Sequence, residues 1–217
     1  MNISISVSSI LNDINILGED SSKIALVGNN GSGKTTILKC LSGLCMATSG
    51  IINYDADVSF AFPLSFAKYN KWIRYIKDNV LFIDHPTLFY KEMSIKENIK
   101  YFSGMGQYDE GGIYDELERY NIEESLNKPI GLLSDGTKQK LLLFLALHCR
   151  KNMILIDEPE KNLDKDSVAQ FYNDIGHQKN RTIIIATHQY SEDIISKFHR
   201  IYEVNQGKAT MIYENVD

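Results

Sequence analysis

Along residues 2–8 (N-I-S-I-S-V-S) apolar and polar positions alternate strictly, with Ile3, Ile5 and Val7 on one side and Ser4, Ser6 and Ser8 on the other. A period of two predicts a strand with one buried face. Ile10, Leu11, Ile14 and Ile16 continue this sheet layer up to a turn over residues 18–22. Four later runs follow a different rule: Lys23–Val27, Val80–Ile83, Met153–Ile156 and Thr182–Ala186 are apolar almost throughout. Such runs predict strands covered on both faces, and their alternation with helical stretches predicts a mostly parallel sheet. Helices are expected from Thr36 to about Ser42, stopping near Gly43, from Asp135 to about Arg150, and from about Lys165 to Ile175. The second of these is apolar through Leu141–Leu147 and therefore reads as buried, with Ser134 as its N-cap. Arg200–Val204 and Ala209–Tyr213, joined across Gln206-Gly207, read as a closing hairpin.

Two segments carry more open readings. Residues 59–82 hold seven aromatics, and Phe66, Tyr69, Ile73 and Ile76 fall at helical spacing with Lys68, Lys71, Arg74 and Lys77 interleaved. The preferred reading is an amphipathic helix with its aromatics on the core; a protein contact surface and a single-stranded nucleic-acid stacking surface are the alternatives. Ser49-Gly50 reads as a turn into Ile51-Ile52. From residue 84 to about 127 the pattern is polar and helical, and Ser94 and Glu97 have capping-box spacing. The expected division is a core of residues 1–84 and 151–217 with a helical subdomain, residues 85–150, inserted in it.

With 217 residues, 43% hydrophobic and 24% charged, the chain suffices for one well-packed domain with an inserted lobe. Twenty-three basic against twenty-eight acidic residues, a net charge of −5, argue against a nucleic-acid-coating surface. Cys40, Cys45 and Cys149 have neither CxxC nor histidine spacing, so reduced thiols are expected rather than a disulfide or zinc framework. No Lys or Arg precedes Lys23, and the longest apolar run, Leu141–Leu147, is far shorter than a bilayer. The expectation is a soluble chain that reaches any membrane through a partner.

Chemistry concentrates in residues 28–36: Gly28-Asn29-Asn30-Gly31-Ser32-Gly33-Lys34-Thr35-Thr36. This fits GxxxxGK[ST], in which glycines let successive amide N–H groups turn toward phosphate oxygens. Lysine reaches the β and γ phosphates, and the Thr35 hydroxyl takes a place on magnesium. An apolar strand precedes it and a helix N-terminus follows, the order a triphosphate cradle requires. Asp157 and Glu158, at the end of the Met153–Ile156 run, supply a carboxylate for magnesium and one to activate water.

These motifs together resemble the ATP-binding cassette (ABC) ATPases, over essentially the whole chain. Leu133-Ser134-Asp135-Gly136-Thr137-Lys138-Gln139-Lys140 is similar to the family signature LSGGQ and stands one buried helix before the Asp-Glu strand. Residues 157–164 (D-E-P-E-K-N-L-D) match the family's DEPTSGLD, which puts Asp164 in the D-loop, and His188 matches its switch histidine. The resemblance implies a P-loop NTPase fold: a mostly parallel α/β core, an N-terminal antiparallel β layer and an inserted helical subdomain. It further implies ATP and Mg2+ as ligands. Glu158, His188 and Lys34 would be catalytic. Ser134 and Gly136 would reach the γ-phosphate held by a second cassette, in a homodimer or a heterodimer with another ABC ATPase. A transmembrane permease on a separate chain, contacted through the helical lobe and the segment around Asp84–Lys91, would place this one peripherally on the cytoplasmic face of the membrane.

Three departures shape the functional reading. His85 stands where the family carries a glutamine near the metal, Asp135 and Thr137 replace a signature glycine and glutamine, and residues 1–27 contain no aromatic to stack on adenine. The leading reading is the ATPase subunit of a transporter, for export rather than import. The alternatives are a degenerate cassette that binds ATP and regulates another ATPase, a non-transport ABC ATPase, and a small-molecule kinase.

Overall fold

The computed structural model describes residues 1–7, 10–84, 89–104, 113–188 and 191–215. In chain order the strands are β1 (Asn2–Val7), β2 (Leu11–Leu17), β3 (Lys23–Val27), β4 (Ser49–Asn53), β5 (Ser59–Phe62), β6 (Val80–Ile83), β7 (Met153–Asp157), β8 (Thr182–Thr187), β9 (Arg200–Asn205) and β10 (Lys208–Glu214). The helices are α1 (Lys34–Leu41), α2 (Phe66–Asn79), α3 (Ile95–Gly104), α4 (Ile113–Leu117), α5 (Asp135–His148), α6 (Lys165–His177) and α7 (Glu192–Ile195). Among the described residues no helix is long and apolar enough to cross a membrane.

The strands form two sheets. One is antiparallel, in the order β2-β1-β4-β5; the other runs β10-β9-β3-β8-β7-β6. Within the second, β9, β3, β8, β7 and β6 are mutually parallel and only β10 is antiparallel. The apolar runs behave as strands covered on both faces. Ile154 and Ile156 point into one core with Leu141–Leu147 of α5 and with Phe171 and Tyr172 of α6. Met153 and Leu155 point into the other, with α1 and the inward face of the antiparallel sheet, Ile3, Ile5, Ile14 and Ile16. The expected capping box is present: Ser94 N–H donates to Glu97 Oε2 at 2.7 Å, and Glu97 N–H donates to Ser94 Oγ at 3.2 Å.

Two local expectations are corrected. Ser49 and Gly50 are the first residues of β4, paired with Ser6 and Ile5 of β1, rather than a turn ahead of it. The helix through the aromatic stretch forms, but Phe66 is 82% exposed while Trp72 is 1% exposed. The stripe is rotated because Trp72 carries a donor as well as a large ring, and both are satisfied inward. Its Nε1–H donates to Tyr54 Oη at 3.0 Å, Tyr54 O–H donates to Leu41 O at 2.9 Å, and Phe62 meets the indole edge-on at 5.1 Å. Phe66, next to the N-cap Ser65, lies at the outer end of the helix. Trp72→Ala is therefore expected to lower stability by about 3–5 kcal/mol in urea unfolding. Phe66→Ala should change it by less than about 0.5 kcal/mol; equal losses would show that the stripe runs through Phe66.

Candidate nucleotide site

Register brings the chemical motifs to one edge. Val27 of β3 lies beside Thr187 of β8, and Asp157 of β7 beside Ala186. Three neighbouring parallel strands therefore end together, and the next residues are Gly28, Glu158 and His188. The carboxyl edge of such a sheet is where α/β proteins hold ligands. His188 is exposed there.

The loop of residues 28–33 passes close beneath β9. A Cβ on Gly28 would sit 2.3 Å from the carbonyl oxygen of Val204, and its φ of 148° is one that side chains avoid, so glycine alone fits. No side chain caps α1 and its first turn has no acidic residue. Its opening N–H groups and positive dipole end are thus available to an anion. Lys34 is buried, with Nζ donating to Gly28 O at 2.7 Å and Asn29 O at 3.1 Å. Burial lowers its pKa, and the charges of Asp157 and Glu158 counter that shift.

Thr35 O–H donates to Asp157 Oδ2 at 2.7 Å. Asp157 Oδ1, and Ser32 Oγ in the loop, are enclosed without hydrogen-bond partners among the described residues. A hydroxyl and a half-satisfied carboxylate, both oxygen donors, beside a phosphate cradle suit a hard divalent cation. Glu158 follows in the left-handed region at φ 49°, unusual for a non-glycine residue, with its N–H donating to Ala186 O at 2.8 Å. The strain of that conformation is held by the parallel pairing on either side.

The start of α5 is open to solvent at Ser134 and Asp135. Ser134 Oγ accepts from Thr137 N at 3.1 Å and lies 2.8 Å from Thr137 Oγ1. Lys138 Nζ lies 3.4 Å from the Asp135 carboxylate. On its other side the same helix grips the turn after Glu158. Gln139 Nε2–H donates to Pro159 O at 3.2 Å, and Lys140 Nζ lies 3.2 Å from Asp164 Oδ2. A Cβ on Gly136 would come 2.8 Å from Asn162 O, so the helix approaches the turn that closely only through glycine. Asp164 caps α6 by accepting from Ser167 N at 2.9 Å and from Ser167 Oγ at 2.8 Å. These bonds and Lys140 hold its pKa below the usual carboxylate range.

Residues Gly28, Asn29, Asn30, Gly31, Ser32, Gly33, Lys34, Thr35 and Thr36 thus share one sheet edge with Asp157, Glu158 and His188. Ser134, Gly136 and Asp164 belong to a neighbouring unit built from α5 and the turn. His85 lies outside the described residues. Gln139 and Glu160 were not among the expected site residues. The available signal was their polarity at positions that turn out buried.

A glycine-rich phosphate loop feeding α1 and an Asp-Glu pair at the end of a parallel strand define a nucleoside-triphosphate-binding α/β protein. A family model described as ABC transporter matches residues 11–161. The uncharacterized ABC transporter ATP-binding protein YybJ of Bacillus subtilis is 30% identical over 204 residues, covering 93% of this chain and 88% of that one. The lantibiotic transport ATP-binding protein SrtF of Streptococcus pyogenes is 30% identical over 186 residues, 84% and 75% of the two chains. Among solved structures, the dimeric post-hydrolysis state of the ATP-binding cassette MJ0796 bound to ADP and Pi superposes with a TM-score of 0.76 at 19% identity, covering 100% of both chains. The chain belongs to the ABC transporter family and is an ATPase of that family.

Burial pushes the Asp157 carboxyl above its ordinary value, more than the Thr35 hydrogen bond lowers it. A native carboxyl that holds its proton more tightly than the unfolded chain destabilises the fold once ionised. The penalty appears as pH rises past the unfolded value of about 3.9 and is complete above the native one. Asp157→Asn is therefore expected to raise Tm at pH 7 without nucleotide, with the gain shrinking toward pH 4. The same change should weaken magnesium-dependent ATP binding about tenfold or more. A Tm lowered at pH 7 would contradict the assignment.

Proposed function

We propose that this chain is the ATP-hydrolysing subunit of an ABC exporter. Two cassettes, identical or not, close head to tail around ATP and drive a permease on another chain. The observation that carries this reading is the Thr35–Asp157 hydrogen bond, with Asp157 Oδ1 left enclosed beside the phosphate loop and unpartnered among the described residues. In this scheme Lys34 and the first N–H groups of α1 neutralise the β and γ phosphates. Thr35 and Asp157 would hold Mg2+, which would supply charge neutralisation for the phosphates. Glu158 takes the proton of the attacking water, and His188 contacts the γ-phosphate. Ser134 and Gly136, at the solvent-open start of α5, meet the γ-phosphate held by the partner cassette, and Asp164 belongs to the turn at the same interface. Residues 85–150 form the helical subdomain between the two parts of the core.

Dimeric architecture is supported by the dimeric cassette MJ0796, and transport, taken as export, by the lantibiotic transport protein SrtF. Docking of a permease through the helical subdomain is supported by an exposed aromatic pair, Tyr90 and Tyr101, with ring centroids 5.0 Å apart. Attachment through that permease places the chain at the cytoplasmic face of a membrane. The regulatory alternative rests on Asp135, Thr137 and His85, the last of them outside the described residues. Lys138 partly offsets the first charge, and Thr137 serves the Ser134 cap, so neither departure dismantles the helix start.

Glu158→Gln is expected to lower ATP hydrolysis about 10²- to 10⁴-fold and to trap an ATP-dependent dimer, seen as doubled mass in size exclusion with light scattering. Wild-type turnover by this variant, or an unchanged mass with ATP, would count against the scheme.

A further inference from the structure

Two residues after the proposed base, the chain buries another carboxylate. Glu160 is 8% exposed, and its Oε1 accepts from the Tyr172 hydroxyl of α6 and from Thr187 Oγ1 of β8 at 2.8 Å. Its Oε2 is enclosed without a partner among the described residues. Taking a carboxylate out of water costs several kcal/mol, and a well-packed apolar side chain usually serves stability as well. Two hydroxyl donors on one oxygen, with the other unmet, are poor compensation. The placement is better explained by geometry.

Thr187, 0% exposed, is the last residue of β8 and immediately precedes His188. Glu160 sits within the turn that begins at Glu158, where Lys161 N–H donates to Glu158 O at 3.3 Å and Leu163 N–H donates to Glu160 O at 3.1 Å. The carboxylate is thus a joint between three pieces: the turn that presents Glu158, the strand end that presents His188, and α6. Backbone pairing of β7 with β8 stops at Asp157 and Ala186, and past it Glu158 N–H reaches Ala186 O. Beyond that bond, the Glu160–Thr187 contact is a side-chain tie between the two loops.

We infer that Glu160 is a positioning residue for ATP hydrolysis, holding the base at Glu158 and the histidine at 188 in fixed relation at the γ-phosphate. The inference rests on the roles assigned to those two residues above. Small misplacements at a reacting centre cost large factors in rate while leaving the bulk of nucleotide binding intact. The role should therefore show in kcat rather than in KM.

The test compares four variants by steady-state hydrolysis and thermal unfolding. Thr187→Val removes the hydroxyl that ties Glu160 to β8 and that also bonds Tyr172, and both it and Glu160→Ala should lower kcat about tenfold with KM for ATP within about twofold. Glu160→Gln, which keeps an acceptor oxygen, should restore kcat to within about threefold of wild type, and Tyr172→Phe should lower Tm with kcat within about twofold. Wild-type kcat in Thr187→Val and Glu160→Ala would overturn the proposal, as would losses in Tyr172→Phe and Thr187→Val that track Tm alike. If Glu160→Ala does not fold, Thr187→Val decides. Glu158→Gln run in parallel separates the two failures. Its retaining full turnover refutes the assigned base, whereas its inactivity beside an unaffected Thr187→Val refutes the positioning role alone.

Discussion

The hydrogen bond from Thr35 Oγ1 to Asp157 Oδ2 joins residues 122 positions apart and closes the site around one charged group. A carboxylate at the end of a buried strand is held against its own desolvation, and its neighbours are arranged around that cost. Lys34 lies near enough to lower its pKa, while Glu158 and Asp84 push the other way. The loop brings uncapped N–H groups to the same place. Charge in this cleft is therefore balanced only in part by the protein itself, which suits a site whose ligands are a polyanion and a hard cation.

From that bond the structure extends outward through one short turn. Residues 158–164 leave β7 in a left-handed conformation at Glu158, return through a second at Asn162, and cap α6 with Asp164. Each side of the turn is held by a different element: β8 through Glu160, α6 through Asp164 and Tyr172, and α5 through Gly136, Gln139 and Lys140. Helix α5 and the turn of residues 158–164 are in consequence a single packed unit. If α5 meets a nucleotide on a partner cassette, movement there is passed to Glu158 through direct contacts.

The departures in the signature segment are absorbed locally. Asp135 falls at a helix start, where a negative charge is favoured by the dipole, and Lys138 sits one turn later. Thr137 gives its N–H to Ser134 in the ordinary manner of an N-cap partner. Gly136 stays glycine because the carbonyl of Asn162 occupies the space a side chain would need.

Short-range pattern determined much of this protein. Alternation in β1, unbroken apolar runs in β3, β6, β7 and β8, the capping box at Ser94 and the buried α5 follow from periodicity and propensity, and the spacing of the phosphate loop carries its chemistry in four fixed positions. Tertiary structure decided what depends on neighbours. Which stripe of α2 faces inward turned on Tyr54 offering a hydroxyl to Trp72, and Gly50 became a strand residue because β1 runs beside it. Glu160 looked like any loop glutamate until the fold surrounded it with Tyr172 and Thr187. Local sequence sets what a segment can form; burial and hydrogen-bond partners come from residues far along the chain, and only packing brings them within reach.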